Sequence, residues 1–272
     1  MALRINQNVA AMNAHRWLTV SDAALSKSIE RLSSGYRVNS AADDPAGLVI
    51  SENLRAQVSG LGQALANTQH AINMIKTAEG ALGEVHSLLR SMRDLAIHAA
   101  STGVNGPTEI AADQAQIDSA IETLNRISTQ TQFGSLVLLD GSASGLVIQV
   151  GANAGQTVTV TLPGVDATTM GVASIDVTVD AQAAITALDA AINIVSTARV
   201  TLGAFQKNTL ESNLTSLAVA KENLAASESA IRDADMAGEM VTFTRNQILL
   251  QSSSAMLLQA NQAPQVILQL LR

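Results

Sequence analysis

From Leu54 to Met92, apolar residues recur at steps of three, four or seven: Leu54, Val58, Leu61, Leu65, Ile72, Ile75, Leu82, Val85, Leu89, Met92. No proline falls between Pro45 and Pro107. A near-3.6 period held this long predicts one amphipathic helix, which to about Ser101 would be on the order of 80 Å long. Asp44 before Pro45 predicts its start, an acceptor at the N-cap and a proline where no donor is needed. Upstream, Leu25, Ile29 and Leu32 share a helical face that stops at SSGYRVNSAADDPAG, a stretch of small and turn-forming residues. Downstream, STGVNGP ends the long helix, and a second helix, about Thr108 to Ser128, carries Ile110, Ile117, Ile121, Leu124 and Ile127. The period then changes to two in LVLLDG, LVIQVGAN and TVTVTLPG, predicting a small antiparallel hairpin region over residues 135–179. Helix returns at about Ala181 with Ile185, Leu188, Ile192, Val195, Leu202, Leu210, Leu214, Leu217, Leu224 and Ile231. The eight-residue step from Leu202 to Leu210 shifts the stripe like a stutter. The fold class is mainly α: a long antiparallel helical bundle or coiled-coil rod with a small β-hairpin region at the tip. The chain goes out and back, so its two ends are expected side by side.

Only 2% of the residues are aromatic although 47% are hydrophobic, so the core must be built from Ala, Leu, Ile, Val and Met, which suits close-packed helices. A net charge of −7 without clustered Lys and Arg excludes a nucleic-acid surface. The last segment, QILLQSSSAMLLQANQAPQVILQLLR, carries no charge before its final arginine. Its recurring Gln, Ser and Asn argue against a membrane span, where unpaired amides cost several kcal/mol each, so it must be buried against protein. Leu249, Met256, Ala260, Ala263, Ile267 and Leu270 form one stripe there, while Leu250, Leu257, Leu258 and Leu271 lie off it. A helix that is apolar on more than one side needs more than one neighbour. At the other end, Asn6, Asn8, Asn13, His15 and Arg16 break any secretory apolar run, which points to another export route.

The sequence offers little for catalysis. His15, His70, His86 and His98 have no partner at i+3 or i+4 and read as solvated helix residues, so no metal site is expected. Asp44 of the Asp43–Asp44 pair reads as a cap. Asp233 and Asp235 diverge by about 200° on a helix and suit a hinge or cap. No cysteine, Gly-rich phosphate loop or HExxH is present, and no cofactor is implied. Asn213-Leu214-Thr215 matches a glycosylation tripeptide but lies in a helical stripe.

Seven blocks in order carry a family resemblance: RLSSGYRVNSAADDPAGLVISENLRAQVSGL, KTAEGAL, MRDLAIHAAS, QTQFGSLVLLDGS, IQVGANAGQTV, ESAIRDADMAGEMVTFTRNQILLQ and ANQAPQVILQLLR. Together they resemble bacterial flagellin over essentially the whole chain, in a minimal form without large variable outer domains. The resemblance implies a terminal helical inner-core domain from residues 1–43 and 236–272, disordered in the monomer, and a helical outer core from 44–235 with the β tip at 135–179. It implies a secreted, extracellular structural subunit that polymerises into the flagellar filament for motility, and no enzyme. The polymerisation residues would be Leu3, Ile5, Val9, Met12, Leu25, Ile29 and Leu32 at one end and Leu249, Met256, Leu257, Ile267 and Leu270 at the other. Implied partners are other copies of the chain, a flagellin-specific export chaperone on the C-terminal segment, the flagellar type III export apparatus, the filament cap and the hook–filament junction. Neither nucleic acid nor membrane insertion is implied. Host Toll-like receptor 5 is a further implied partner, through Arg90, Ser91, Arg93, Asp94, Leu95 and Gln116. There Ser91 and Gln116 replace the arginine and glutamate of the family's receptor patch. The other reading is a flagellin-like surface adhesin or glycan receptor presenting GSASG and PGVDATTMG.

Overall fold

The computed structural model describes the backbone of residues 7–270 and the side chains of residues 7–262. The described residues form six α-helices: α1 Val9–Ser34, α2 Pro45–Ala99, α3 Pro107–Gln130, α4 Val177–Phe205, α5 Ser212–Arg232 and α6 Met236–Leu270. A π-helical segment, Gln206–Glu211, joins α4 to α5. Two antiparallel strand pairs lie between α3 and α4, so the chain is mainly α with a small β region. The chain divides into two compact units, residues 1–56 with 223–272 and residues 57–222.

In the first unit, α1 begins at Asn8, whose side chain accepts from the Ala11 N–H, and ends at Gly35, where φ is +74°. A glycine there satisfies the left-handed cap without a Cβ penalty. The Asp44 carboxylate accepts from the Gly47 N–H at 2.9 Å and caps α2 as the sequence suggests. Asp43 does different work: it accepts from the Asn39 and Ser40 amides and pairs with Lys27 at 2.8 Å. The Lys27 ammonium, followed by the Ser40 amide, holds its carboxyl well below the usual carboxylate range. Across this loop the chain meets the junction between α5 and α6. Arg37 and Val38 amides both donate to Arg232 O, and Ala234 N donates to Gly35 O. The Arg232 guanidinium lies 4.8 Å from the Tyr36 ring centre and also pairs with Glu52. Asp235 caps α6 through the Ala237 amide, the cap role expected of it.

In the second unit the buried face of α2 runs Ile75, Ala78, Leu82, Val85, Leu89, Met92, Ala96 and Ala99, each 1% exposed or less. Steps alternating three and four make a heptad seam. Upstream the seam continues through Leu61, Ala64, Thr68 and Ala71, and the buried Thr68 hydroxyl is satisfied by donating to Ala64 O. Facing it are Ile117 and Leu124 of α3 and Ala184, Leu188, Ala191, Val195 and Leu202 of α4.

The strands are shorter than the hairpin region read from the sequence. Strands β1 Gln132–Phe133 and β2 Leu136–Val137 pair around Gly134, and β3 Leu146–Gln149 pairs with β4 Thr157–Val160. Residues 161–176 have no ladder; Leu162, Val165, Met170 and Val172 instead drop into the core. Backbone groups there find side-chain partners: Asn125 accepts from Ala167 N, while Gln114 donates to Ile175 O and accepts from Val177 N. α4 opens at Val177, earlier than the sequence suggests, but Asp180 has non-helical φ −147° and caps Gln182 and Ala183, so regular helix starts next to the expected Ala181.

The eight-residue step is resolved by the π segment. In a continuous α-helix Leu210 would fall about 80° away from Leu202, yet both are at most 2% exposed. A π turn takes up one extra residue and returns the stripe to the core.

Candidate functional site

The terminal helices pack antiparallel, and three ties set their register. Asn8 Nδ2 donates to Ala260 O at 2.8 Å, Asn246 Nδ2 reaches Ser28 Oγ at 3.4 Å, and Arg31 lies 3.7 Å from Glu239. That last pair is loose and leaves Arg31 Nε and Glu239 Oε1 without a partner. On α1 only Ser21 and Ser28 are fully buried, and no described side chain of α6 is. Two helices that bury serines and leave their large apolar residues out are incompletely covered.

Of the residues expected to polymerise, Val9, Met12, Ile29, Leu249 and Met256 are exposed, Met12 by 68% and Met256 by 64%. Leu25, Leu32 and Leu257 are half-buried. Leu3 and Ile5 lie outside the described residues, as do the side chains of Ile267 and Leu270 on α6. The surface also includes Trp17, Val20, Met240, Val241, Ile248 and Leu258, which stripe reasoning did not select. Their signal was present as apolar residues on the side away from the chosen stripe.

Of the residues expected to meet a receptor, Arg90, Ser91 and Asp94 on α2 and Gln116 on α3 are exposed. Leu95 packs against the core. Arg93 is committed within the chain: its Nε donates to Asp189 Oδ1 of α4 at 2.6 Å, and this carboxylate raises the guanidinium pKa above its ordinary value.

Among the described residues, no three His, Asp or Glu side chains are grouped to hold a metal ion. His98 is exposed, as a solvated helix residue should be, yet it has an acidic neighbour that its spacing along the helix did not indicate. Its Nδ1 is 2.7 Å from Asp113 Oδ2, and Asn105 donates to its carbonyl oxygen across the α2–α3 turn. Fifteen residues separate the pair, so helical spacing gave no sign of it. The amide of Asn213 donates to Val150 O and is half-buried.

Comparison with known proteins matches two family profiles, the bacterial flagellin N-terminal helical region over residues 5–144 and the bacterial flagellin C-terminal helical region over residues 185–271. The chain is 48% identical to a flagellin of Halalkalibacterium halodurans, covering 98% of this chain and 99% of that one. It is 41% identical to a flagellin of Bacillus subtilis, covering 99% and 100%. Among solved structures it resembles a Bacillus cereus flagellin at 28% identity and TM-score 0.50, over 56% of this chain and 88% of that one. A putative flagellar hook-associated protein from Vibrio parahaemolyticus, 16% identical, shares the fold at TM-score 0.59 over 70% and 100%.

Proposed function

The chain belongs to the bacterial flagellin family and is a structural subunit of the extracellular flagellar filament, not an enzyme, and we propose that it polymerises through the surface left open on α1 and α6. The observation that carries this is the exposure of Val9, Met12, Trp17, Ile248, Leu249, Met256 and Leu258 on two helices that bury little between themselves. Apolar side chains exposed on more than one side of a helix call for more than one neighbour, and subunits meeting through non-identical surfaces build an open helix. On this reading residues 1–43 and 236–272 form the inner-core domain, 44–235 form the outer core, and residues 135–179 are its tip. The terminal pair is weakly held in the monomer and is ordered by burial between copies, which offsets the entropy of ordering.

Trp17 is the only tryptophan and is 59% exposed. Seeded growth at neutral pH is expected to shift its emission to the blue in step with sedimentation. Pelleted filaments with unshifted emission would place α1 outside the interface, and absence of any pellet would return the adhesin reading.

Export follows the same logic. An uncovered apolar C-terminal segment needs masking in the cytoplasm, and a flagellin-specific chaperone that binds it, with Leu249, Leu250, Met256, Leu257 and Ile267 as anchors, would deliver the chain to the type III apparatus. The filament cap and the hook–filament junction are the sites of its incorporation.

The patch around Arg90, Ser91, Arg93, Asp94, Leu95 and Gln116 reads as a weak Toll-like receptor 5 site. Arg90 sits about 100° around the helix from Ser91 and does not replace a charge there. Losing a charged contact from the centre of a desolvated interface costs about 2 kcal/mol, roughly thirtyfold in affinity. In a receptor-reporter assay, monomer carrying Ser91→Arg and Gln116→Glu is expected to signal at a dose lower than the parent's by at least roughly thirtyfold. Equal dose–response curves would remove both positions from the patch.

A further inference from the structure

Seven charged residues lie on the described parts of α1 and α6: Arg16, Asp22, Lys27, Glu30, Arg31, Glu239 and Arg245. Four are paired, Lys27 with Glu30 and Arg31 with Glu239. Asp22, Arg16 and Arg245 take part in no ion pair among the described residues. Among the described residues, Asp22 is thus the one anion on these two helices without an ion-pair partner.

Asp22 and Arg245 each sit in a separate groove. Asp22 lies with Leu18, Thr19, Leu250, Gln251 and Ser254 in a groove of about 410 Å³ between the two helices. Arg245 lies with Met240, Val241, Thr244, Ile248 and Leu249 in one of about 500 Å³. Each groove contains a single charge, and the charges are opposite. On α6 the two sets of lining residues lie roughly a third of a turn apart at 100° per residue. One copy can therefore present its first groove to the second groove of another. Such a contact is between unlike surfaces, so it propagates instead of closing.

Resting on the filament reading above, we propose that Asp22 of one copy pairs with Arg245 of a neighbouring copy, and that this pair sets which faces of the terminal helices meet. The occupant of each groove is a second copy of the same chain. Complementary charges select register and orientation more than they add affinity, and like charges brought together there are strongly unfavourable.

The test uses full-length chains with Asp22→Arg, with Arg245→Asp, and with both changes, measuring the critical concentration for growth and checking helix content by circular dichroism. Each single variant places like charges at every contact and is expected to raise the critical concentration at least tenfold. The double exchange is expected to restore it. An equimolar mixture of the two single variants is also expected to grow, because alternating copies again bring opposite charges together. Rescue by mixing is a result that an effect within one chain does not give. The pair is refuted if the single variants grow like the parent, if neither the mixture nor the exchange restores growth, or if Arg16→Asp rescues Asp22→Arg where Arg245→Asp does not. Failure of the parent chain to grow would instead strike the filament reading itself.

Discussion

Deletion of Gln247–Arg272 is expected to leave a soluble, helical chain that no longer forms filaments, even at concentrations a thousandfold above the parent's threshold. Two losses combine. The deletion removes the exposed side chains of Ile248, Leu249, Met256 and Leu258. Covering the rest of each contributes roughly 1 kcal/mol, about 4 kcal/mol together, or close to three decades in affinity. It also uncovers α1, because the register that places Asn246 opposite Ser28 and Ala260 opposite Asn8 means that α1 loses its partner from Val9 to about Lys27. The second unit is untouched, since the seam from Ile75 to Ala99 packs on α3 and α4. Its thermal transition is expected within a degree or two of the parent's, and the truncated chain is expected to lose chaperone binding. Normal filaments from this truncation would show that the open surface is not the interface.

Single-residue deletions at two exposed asparagines should separate sharply. Removing Asn208 shortens the step from Leu202 to Leu210 to seven residues, which an α-helix covers within about 20° of two full turns. The π segment can then become α, and the expected loss is under about 1 kcal/mol. Removing Asn193 rotates the helix between that point and the π segment by about 100°, taking Val195 and Leu202 out of the core. Loss of such contacts costs about 4 kcal/mol or more, lowering the melting temperature by roughly 10 °C. Calorimetry of the two variants checks this. Equal destabilisation would mean that the π segment is not what keeps the stripe in phase.

The helices were legible because a long apolar period, a capping aspartate and turn residues all agree from Asp44 to Met92. What the period concealed was the role of alanine: Ala64, Ala71, Ala78, Ala96 and Ala99 are five of the twelve residues of the α2 seam, while the more hydrophobic Leu54, Val58 and Leu65 stay half-exposed. Seam position is a matter of geometry, and a small side chain that lets helices approach closely carries little hydrophobic signal. The segment 161–176 was misjudged for a related reason. Its β-branched, Gly-punctuated run resembles strand, but Gly164 passes so close to Gly141 that an added Cβ would lie 3.1 Å from its backbone, and the amides go to scattered carbonyls such as Ala143 O and Leu139 O and to side chains such as Asn125 instead of a ladder. The stutter between Leu202 and Leu210 was visible, although spacing alone does not say whether a helix bends, breaks or widens to absorb a residue. On the terminal helices the sequence correctly signalled surplus apolar residues. It could not show which side α1 covers, because that depends on ties such as Asn8 to Ala260, made by residues far apart in the chain.

The chain has no cysteine, so one introduced thiol reports its own surroundings. Met256→Cys and Thr168→Cys, both at exposed positions in the single chain, can be reacted with a maleimide before and after assembly. Burial of the terminal helices between copies predicts that both thiols react freely in the monomer. In the filament, the thiol at position 256 should slow by at least tenfold while that at position 168, in the second unit, keeps its rate. Unchanged labelling at position 256 in filaments would contradict the account.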